Sequence, residues 1–214
     1  MRIDFHLHSL FSDGELLPSE IVARCKDLGY EAIAITDHID HTNIEDIQKI
    51  KEIKNKFKDI EVLVGAEITH VAPKEINSLV KEVKEQGAEI IILHGESIVE
   101  PVPKGTNKKA VRNEEVDILA HPGLIKEENV KKAAQNNVFL ELTSRRGHCY
   151  TNGHLANLAD KNDARLLVNT DSHSPSDLIS RERAIKIAMG AGLSEGKAKE
   201  VVDKNPKKLL RQIR

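Results

Sequence analysis

Residues 88–94 read AEIIILH, four consecutive aliphatic side chains of which three are β-branched, closed by a histidine. An unbroken apolar run of this length suits a strand buried on both faces, which is the condition of a parallel sheet covered by helices. Six other stretches share the design: RIDFHLH (2–8), EAIAITDH (31–38), IEVLVGAEIT (60–69), VDILAHP (116–122), VFLELTS (138–144) and RLLVNTDSH (165–173). Between several of them the apolar period changes to that of a helix. Ile21, Val22, Cys25 and Leu28 follow Pro18 and stop at Gly29, and IEDIQKIKEIKNKF (44–57), KEINSLVKEVKEQG (74–87) and KEENVKKAAQNN (126–137) have polar outer faces. Seven strands alternating with helices predict a single α/β domain over 1–214, either a closed barrel or an open doubly wound sheet. The glycine-rich phosphate fingerprint that would favour the open sheet is missing after the first strand.

The 214 residues are enough for one compact core, which aliphatic side chains must fill because only 3% of residues are aromatic. Net charge is −2, so nothing draws the whole chain to polyanions. The run KNPKKLLRQIR (204–214) reads as a solvated last helix. Cys25 and Cys149 lie in no paired motif. With no leader pattern and no apolar span, the expectation is a cytoplasmic protein without a membrane partner. One segment breaks the rhythm: ESIVEPVPKGTNKKAVR (96–112), with two prolines and a glycine, leaves the fourth strand and could cover a site.

Metal-capable side chains gather at one end of the strands. Asp4, His6 and His8 alternate, as do Asp171 and His173, and side chains two apart on a strand share a face. His38, Glu67, His94 and His121 also stand at or just past the carboxyl ends of their strands, and Glu141 lies within another. In a barrel that rim is where a site is assembled. Imidazole and carboxylate without thiolate suit zinc, manganese or iron, and so many ligands would serve two or three ions. Asp13, in the turn SDG, reads on its own as a turn residue.

Taken together, DFHLHSLFSDG, ITDH, GAEI, ILHG, LAHPG and NTDSH resemble the PHP (polymerase and histidinol phosphatase) metal-dependent phosphoesterases across essentially the whole chain. The resemblance implies a distorted (β/α)7 TIM-like barrel with a trinuclear centre. It assigns His6, His8, Glu67 and Asp171 to one ion, Asp13, His38 and His173 to a second, and His94 and His121, with Glu67 bridging, to a third. Asp4 and Asp37, and with them Glu141, would orient imidazoles from behind. The implied chemistry is hydrolysis of a small phosphomonoester, histidinol phosphate first, by metal-bound hydroxide, with Glu67, Asp171 and His173 at the catalytic centre. Arg145, Arg146, His70, Lys104, His148 and His154 are candidates to touch substrate. The partner expected is thus a small phosphorylated molecule, with extended nucleic acid disfavoured. A nucleotide or oligonucleotide phosphoesterase is the alternative. A non-catalytic scaffold related to a ribonuclease P protein subunit ranks last, because such a scaffold is expected to lose ligands and here the set is complete.

Overall fold

A computed structural model describes residues 2–214. Its strands are β1 (Arg2–Asp4), β2 (Tyr30–Ile35), β3 (His38–Ile39), β4 (Glu61–Ile68), β5 (Ile90–His94), β6 (Ile118–Ala120), β7 (Phe139–Thr143) and β8 (Leu166–Asn169). All ladders are parallel, in the order β1-β2-β4-β5-β6-β7-β8, while the two-residue β3 adds to β4 alongside His38↔Glu67. A parallel bridge between Leu7 and Ser172 joins the first and last strands beyond their ladders. The seven-stranded barrel expected from the sequence is therefore present, nearly closed.

Two apolar layers result from the alternation. Phe5, Ala32, Ala34, Ile90, Ile92, Ile118, Phe139 and Leu167 fill the interior, and Ile33, Ile35, Ile91, Leu93, Leu140 and Leu142 face the helices. The helix α1 (Pro18–Asp27) buries Ile21, Val22 and Cys25, as its period requires. The segment 44–57 forms only one short α-helix, α2 (Ile47–Lys51), flanked by 3-10 turns; Ile47 and Ile50 are buried there, with Ile44, Ile53 and Phe57 partly buried against the core. Helices α3 (Ile76–Glu85), α4 (Thr106–Ala110), α5 (Glu127–Asn136), α6 (Asn152–Lys161), α7 (Arg181–Gly190), α8 (Glu195–Lys199) and α9 (Asn205–Gln212) complete the outer layer. The last helix is less solvated than the sequence reading had it. Leu209 and Leu210 of α9 join the interior cluster with Ile3, Leu63 and Phe139, plugging the barrel at the end away from the histidines while Lys207, Lys208 and Arg211 stay outside.

The seam between β1 and β8 is held by side chains. The Asp4 carboxylate accepts from the Arg2 guanidinium at 2.7 Å, from the His6 amide at 3.1 Å and from the Thr170 amide at 3.1 Å. The Asn169 amide oxygen accepts from the Phe5 N–H at 3.2 Å. Asp4 was expected to support an imidazole; it stitches the barrel shut instead. Asp37 likewise serves backbone, accepting from the Ser9 amide at 2.6 Å and from the Ser9 and Ser12 hydroxyls at 2.7 Å, which fixes the loop that carries Asp13. Among the described residues no helix is long and apolar enough to cross a membrane.

Candidate metal centre at the barrel rim

At the carboxyl ends of the strands the structure brings together all nine residues proposed as ligands. His6, His8, Glu67, His94, His121 and Asp171 are buried. Asp13 enters from the exposed turn after β1. Its Oδ1 lies 3.1 Å from His173 Nε2 and 3.5 Å from His38 Nε2. Sets of possible donor groups whose atoms lie within 4.8 Å of one another include His8, Asp13, His38 and His173; His6, His8 and Asp171; and Glu67, His94 and His121, with others, such as His70, His94 and Glu100, overlapping them. Only in the order of its parts does the backbone differ from an extended-strand reading. β8 ends at Asn169, and Asp171 sits at φ +51, with His121 at +23 and His70 at +56. Asp171 and His173 thus meet through a left-handed turn, not through strand pleating. Such conformations are costly for non-glycine residues and persist where the surroundings over-determine them.

The imidazoles share a plan. His6 gives its Nδ1–H to Glu141 at 2.7 Å, His94 to the Gly95 carbonyl at 3.1 Å and His173 to the Asp171 carbonyl at 3.0 Å. His38 Nδ1 lies 2.7 Å from the Thr69 hydroxyl. Each of these bonds holds a ring with its Nε2 edge turned inward. Glu141 therefore has the supporting role expected of it, while Thr69 does for His38 what no sequence pattern indicated. The inward atoms have no hydrogen-bond partners of their own: His6 Nε2, both ring nitrogens of His8 and both oxygens of Glu67 are buried and unsatisfied. Buried polar atoms left in this state cost free energy, and a converging set of lone pairs is what divalent cations would satisfy. The donor set fits two or three transition ions.

Charge is divided unevenly across the array. Burial opposes charge on His6, but Glu141, Glu67 and Asp171 together hold its pKa well above the usual histidine value. Burial and the neighbouring His38 push His8 well below it, and burial with His94 does the same to His121. Burial raises Asp171 to about 6. Burial also acts to raise Glu67, yet His6 and His38 draw it well below the ordinary glutamate value. Asp13 is lifted by partial burial and then lowered on balance by the hydrogen bond from His173 and the charge of His38. Neutral imidazoles at His8 and His121 are already in the state that ligation requires.

The candidate substrate contacts separate. Arg145 is at the rim, its guanidinium 3.8 Å from Asp171 and 3.5 Å from Asp177. His70 lies beside His94, with ring centroids 4.9 Å apart. His148 is buried against His121, 4.2 Å between centroids. His154 is not free for a ligand, because its Nε2 lies 2.8 Å from the Ile125 carbonyl, to which it donates. Arg146 and Lys104 are exposed. The segment 96–105 does cross the rim as its composition suggested, and it brings a residue that had not been singled out: Glu100, whose carboxylate stands 2.9 Å from His94 Nε2 and 3.2 Å from His148 Nε2.

Comparison with known proteins bears on the function. The model of a family described as RNase P subunit p30 matches residues 1–214. An uncharacterized protein of Methanocaldococcus jannaschii is 48% identical over the full length of both chains. Ribonuclease P protein component 3 of Methanosarcina barkeri is 28% identical, covering 99% of this chain and 89% of its own. In structure, a chain of an archaeal ribonuclease P with mature tRNA superposes with a TM-score of 0.70 at 19% identity over 99% of this chain and 89% of that one. A histidinol phosphate phosphatase from Lactococcus lactis, solved with zinc, does so at 0.65 and 18% over 90% and 94%. At these identities the two structures share the fold alone, so the PHP resemblance holds at the level of the barrel. The whole-chain family match overturns the expected activity. Of the readings weighed, it supports the one placed last, the ribonuclease P scaffold. The small-molecule phosphatase and phosphoesterase readings, their phosphorylated substrate and the disfavouring of nucleic acid are corrected accordingly. Ligand completeness does not separate these readings, because a full donor set bears on whether ions can be held and says nothing of whether a reaction follows.

Proposed function

The chain belongs to the RNase P subunit p30 family, and from that premise we propose that it serves as a protein component of ribonuclease P, working in the cytoplasm on an RNA partner of the tRNA kind. The whole-length family match carries this reading. The chemistry of the surface shapes it: with a net charge of −2 the chain has little affinity of its own for polyanions, so it shares RNA contact with neighbours in a complex. Exposed cations such as Lys204, Lys208 and Arg211 near the C-terminus and Lys104 and Arg146 near the rim are the places where local phosphate contact is possible. A tagged chain expressed in its own cells is expected to recover the ribonuclease P RNA together with activity on precursor tRNA. Recovery of the chain alone, or with RNA no richer in that species than the lysate, defeats the proposal.

We further propose that the rim holds two or three divalent transition ions, zinc, manganese or iron, at His6, His8, Asp13, His38, Glu67, His94, His121, Asp171 and His173. The unsatisfied, mutually facing donor atoms support this reading. In a ribonucleoprotein scaffold such ions act by neutralising buried carboxylates and locking six of the strand ends to one another.

A further inference from the structure

The strap between β5 and α4 is built to hold its tip still. Glu96 turns back on it, its Oε1 accepting from the Gly105 N–H at 3.0 Å and from the Asn107 N–H at 2.9 Å. Asn107 in turn donates to the Pro122 carbonyl at 2.8 Å, tying the strap to the loop after β6. A loop clamped at both feet has a fixed tip, and the tip carries Glu100. Its Oε1 accepts from His148 Nε2 at 3.2 Å, while its Oε2 meets two other imidazoles, His94 Nε2 at 2.9 Å and His70 Nε2 at 3.7 Å.

His70, His94 and Glu100 form a set of their own, with donor atoms within 4.8 Å of one another. Ligand atoms on a tetrahedral zinc stand about 3.3 Å apart, given bonds of about 2.0–2.1 Å. The two separations from Glu100 Oε2 fall on either side of that value. His94 is the member shared with the inner centre, and it has one nitrogen to offer. Its Nδ1 donates to the Gly95 carbonyl at 3.1 Å, so only Nε2 can face an ion. A single lone pair does not serve two ions, so Glu67 and His121 on the inner side compete for it with His70 and Glu100 on the outer side. The geometry favours the outer side: among the described residues, Glu100 alone brings a carboxylate oxygen within 4.0 Å of a His94 nitrogen.

From this juxtaposition we infer that His70, His94 and Glu100 hold a divalent transition ion of their own, outside the inner centre, and that His94 ligates it in place of an inner ion. His148 is the positioning residue that steadies the carboxylate. The site borrows only His94 from the proposed centre and does not need that centre to be filled. Three protein ligands leave a fourth position for water, and His70 and Glu100 line a cavity of about 500 Å³ that extends to Asp13 and His38. Such an ion pins the tip of the strap to the carboxyl ends of β4 and β5 while staying open to that cavity.

The test uses the full chain, stripped by chelation and then titrated with zinc. His70 reports directly, because no inner ion can use it. In heteronuclear NMR of the histidine rings its Nε2 signal should move to that of a metal-bound nitrogen on zinc loading, and should fail to do so in Glu100→Gln. Calorimetric ion counting separates the two uses of His94. His121→Ala removes a partner that only an inner ion needs, so it should bind as many ions as wild type. Adding His70→Ala or Glu100→Gln to it should abolish one ion or weaken it at least tenfold, since losing even a group that supports a ligand costs about 10–100-fold. A His70 signal indifferent to zinc, with an ion already lost from His121→Ala alone, means that His94 ligates inward; the outer site is then wrong and the rim reading survives. A single bound ion that goes with His70 or Glu100 upholds the outer site and removes the inner centre. A wild type that binds no zinc removes both.

Discussion

Asp4→Ala is expected to destabilise the protein by about 3–5 kcal/mol, the cost of removing one partner from a buried ion pair and leaving the other uncompensated. Arg2 and Asp4 are both buried, and the guanidinium has no outlet to water. Its NH2 reaches Asp4 at 2.7 Å and the Val168 carbonyl at 3.3 Å, while Nε and NH1 have no partner at all. Alanine would therefore strand a cation and, with it, the Thr170 and His6 amides that Asp4 accepts from. Those amides follow the ends of β1 and β8, the two strands that no continuous ladder joins, so the loss falls where the barrel is weakest. Asp4→Asn keeps an acceptor for the amides but not the charge, and should fall between. Replacing the pair together, Arg2→Met with Asp4→Leu, should recover the part of the loss that comes from the stranded cation, because well-packed apolar groups replace buried ion pairs with little net cost, while the two amides stay unpaired. Urea denaturation reads all three. A loss under about 1 kcal/mol for Asp4→Ala would mean that the seam is held elsewhere.

The barrel was legible because burial on both faces leaves a continuous apolar signature, as in IIIL of β5, and because the chain repeats that signature at regular spacing. The rim was legible for a related reason: histidine and carboxylate are costly to bury, so their repeated placement at strand ends stands out against aliphatic strands. Asp4 shows where this reasoning stops. Its alternation with His6 and His8 suggests a shared task, but the seam lies between residues 166 positions apart in the sequence, and no local pattern reveals that Thr170 needs an acceptor. Glu100 was hidden for another reason. A carboxylate in a proline-containing loop carries no periodic signal, and only the unusual length of the segment hinted that it returns to the rim. The function was the least legible, since the same donor atoms serve a reaction or a fastening, and the difference lies in whether a position stays open.

Glu67→Gln should produce the largest change in how metal alters stability. Ions that bind only the folded state add about 4 kcal/mol each at a thousand times Kd, so two or three would dominate the protein's stability. Glu67 is the shared element among the inward donors. Its Oε2 stands 3.0 Å from His38, 3.1 Å from His6 and 3.4 Å from His8, and its Oε1 stands 3.6 Å from His121. Glutamine keeps the shape but removes the charge and one oxygen, which weakens at least two ion positions at once. The stabilisation brought by saturating zinc, measured as the difference between denaturation curves with and without chelator, is expected to fall by more than half. An equal increment in the variant would remove Glu67 from the centre. The pH dependence provides an independent check. The metal-free pKa of His6 is raised, so the stability it contributes is present at low pH and lost as pH rises through the folded value. Glu67 is depressed, so its contribution is present at neutral pH and lost on acidification through its own lowered value. Zinc must displace the His6 proton, which makes its stabilisation grow with pH across that histidine's titration. The metal-free protein should therefore lose stability over the range in which this histidine titrates while the zinc-loaded protein holds its own, so the two curves should diverge towards alkaline pH.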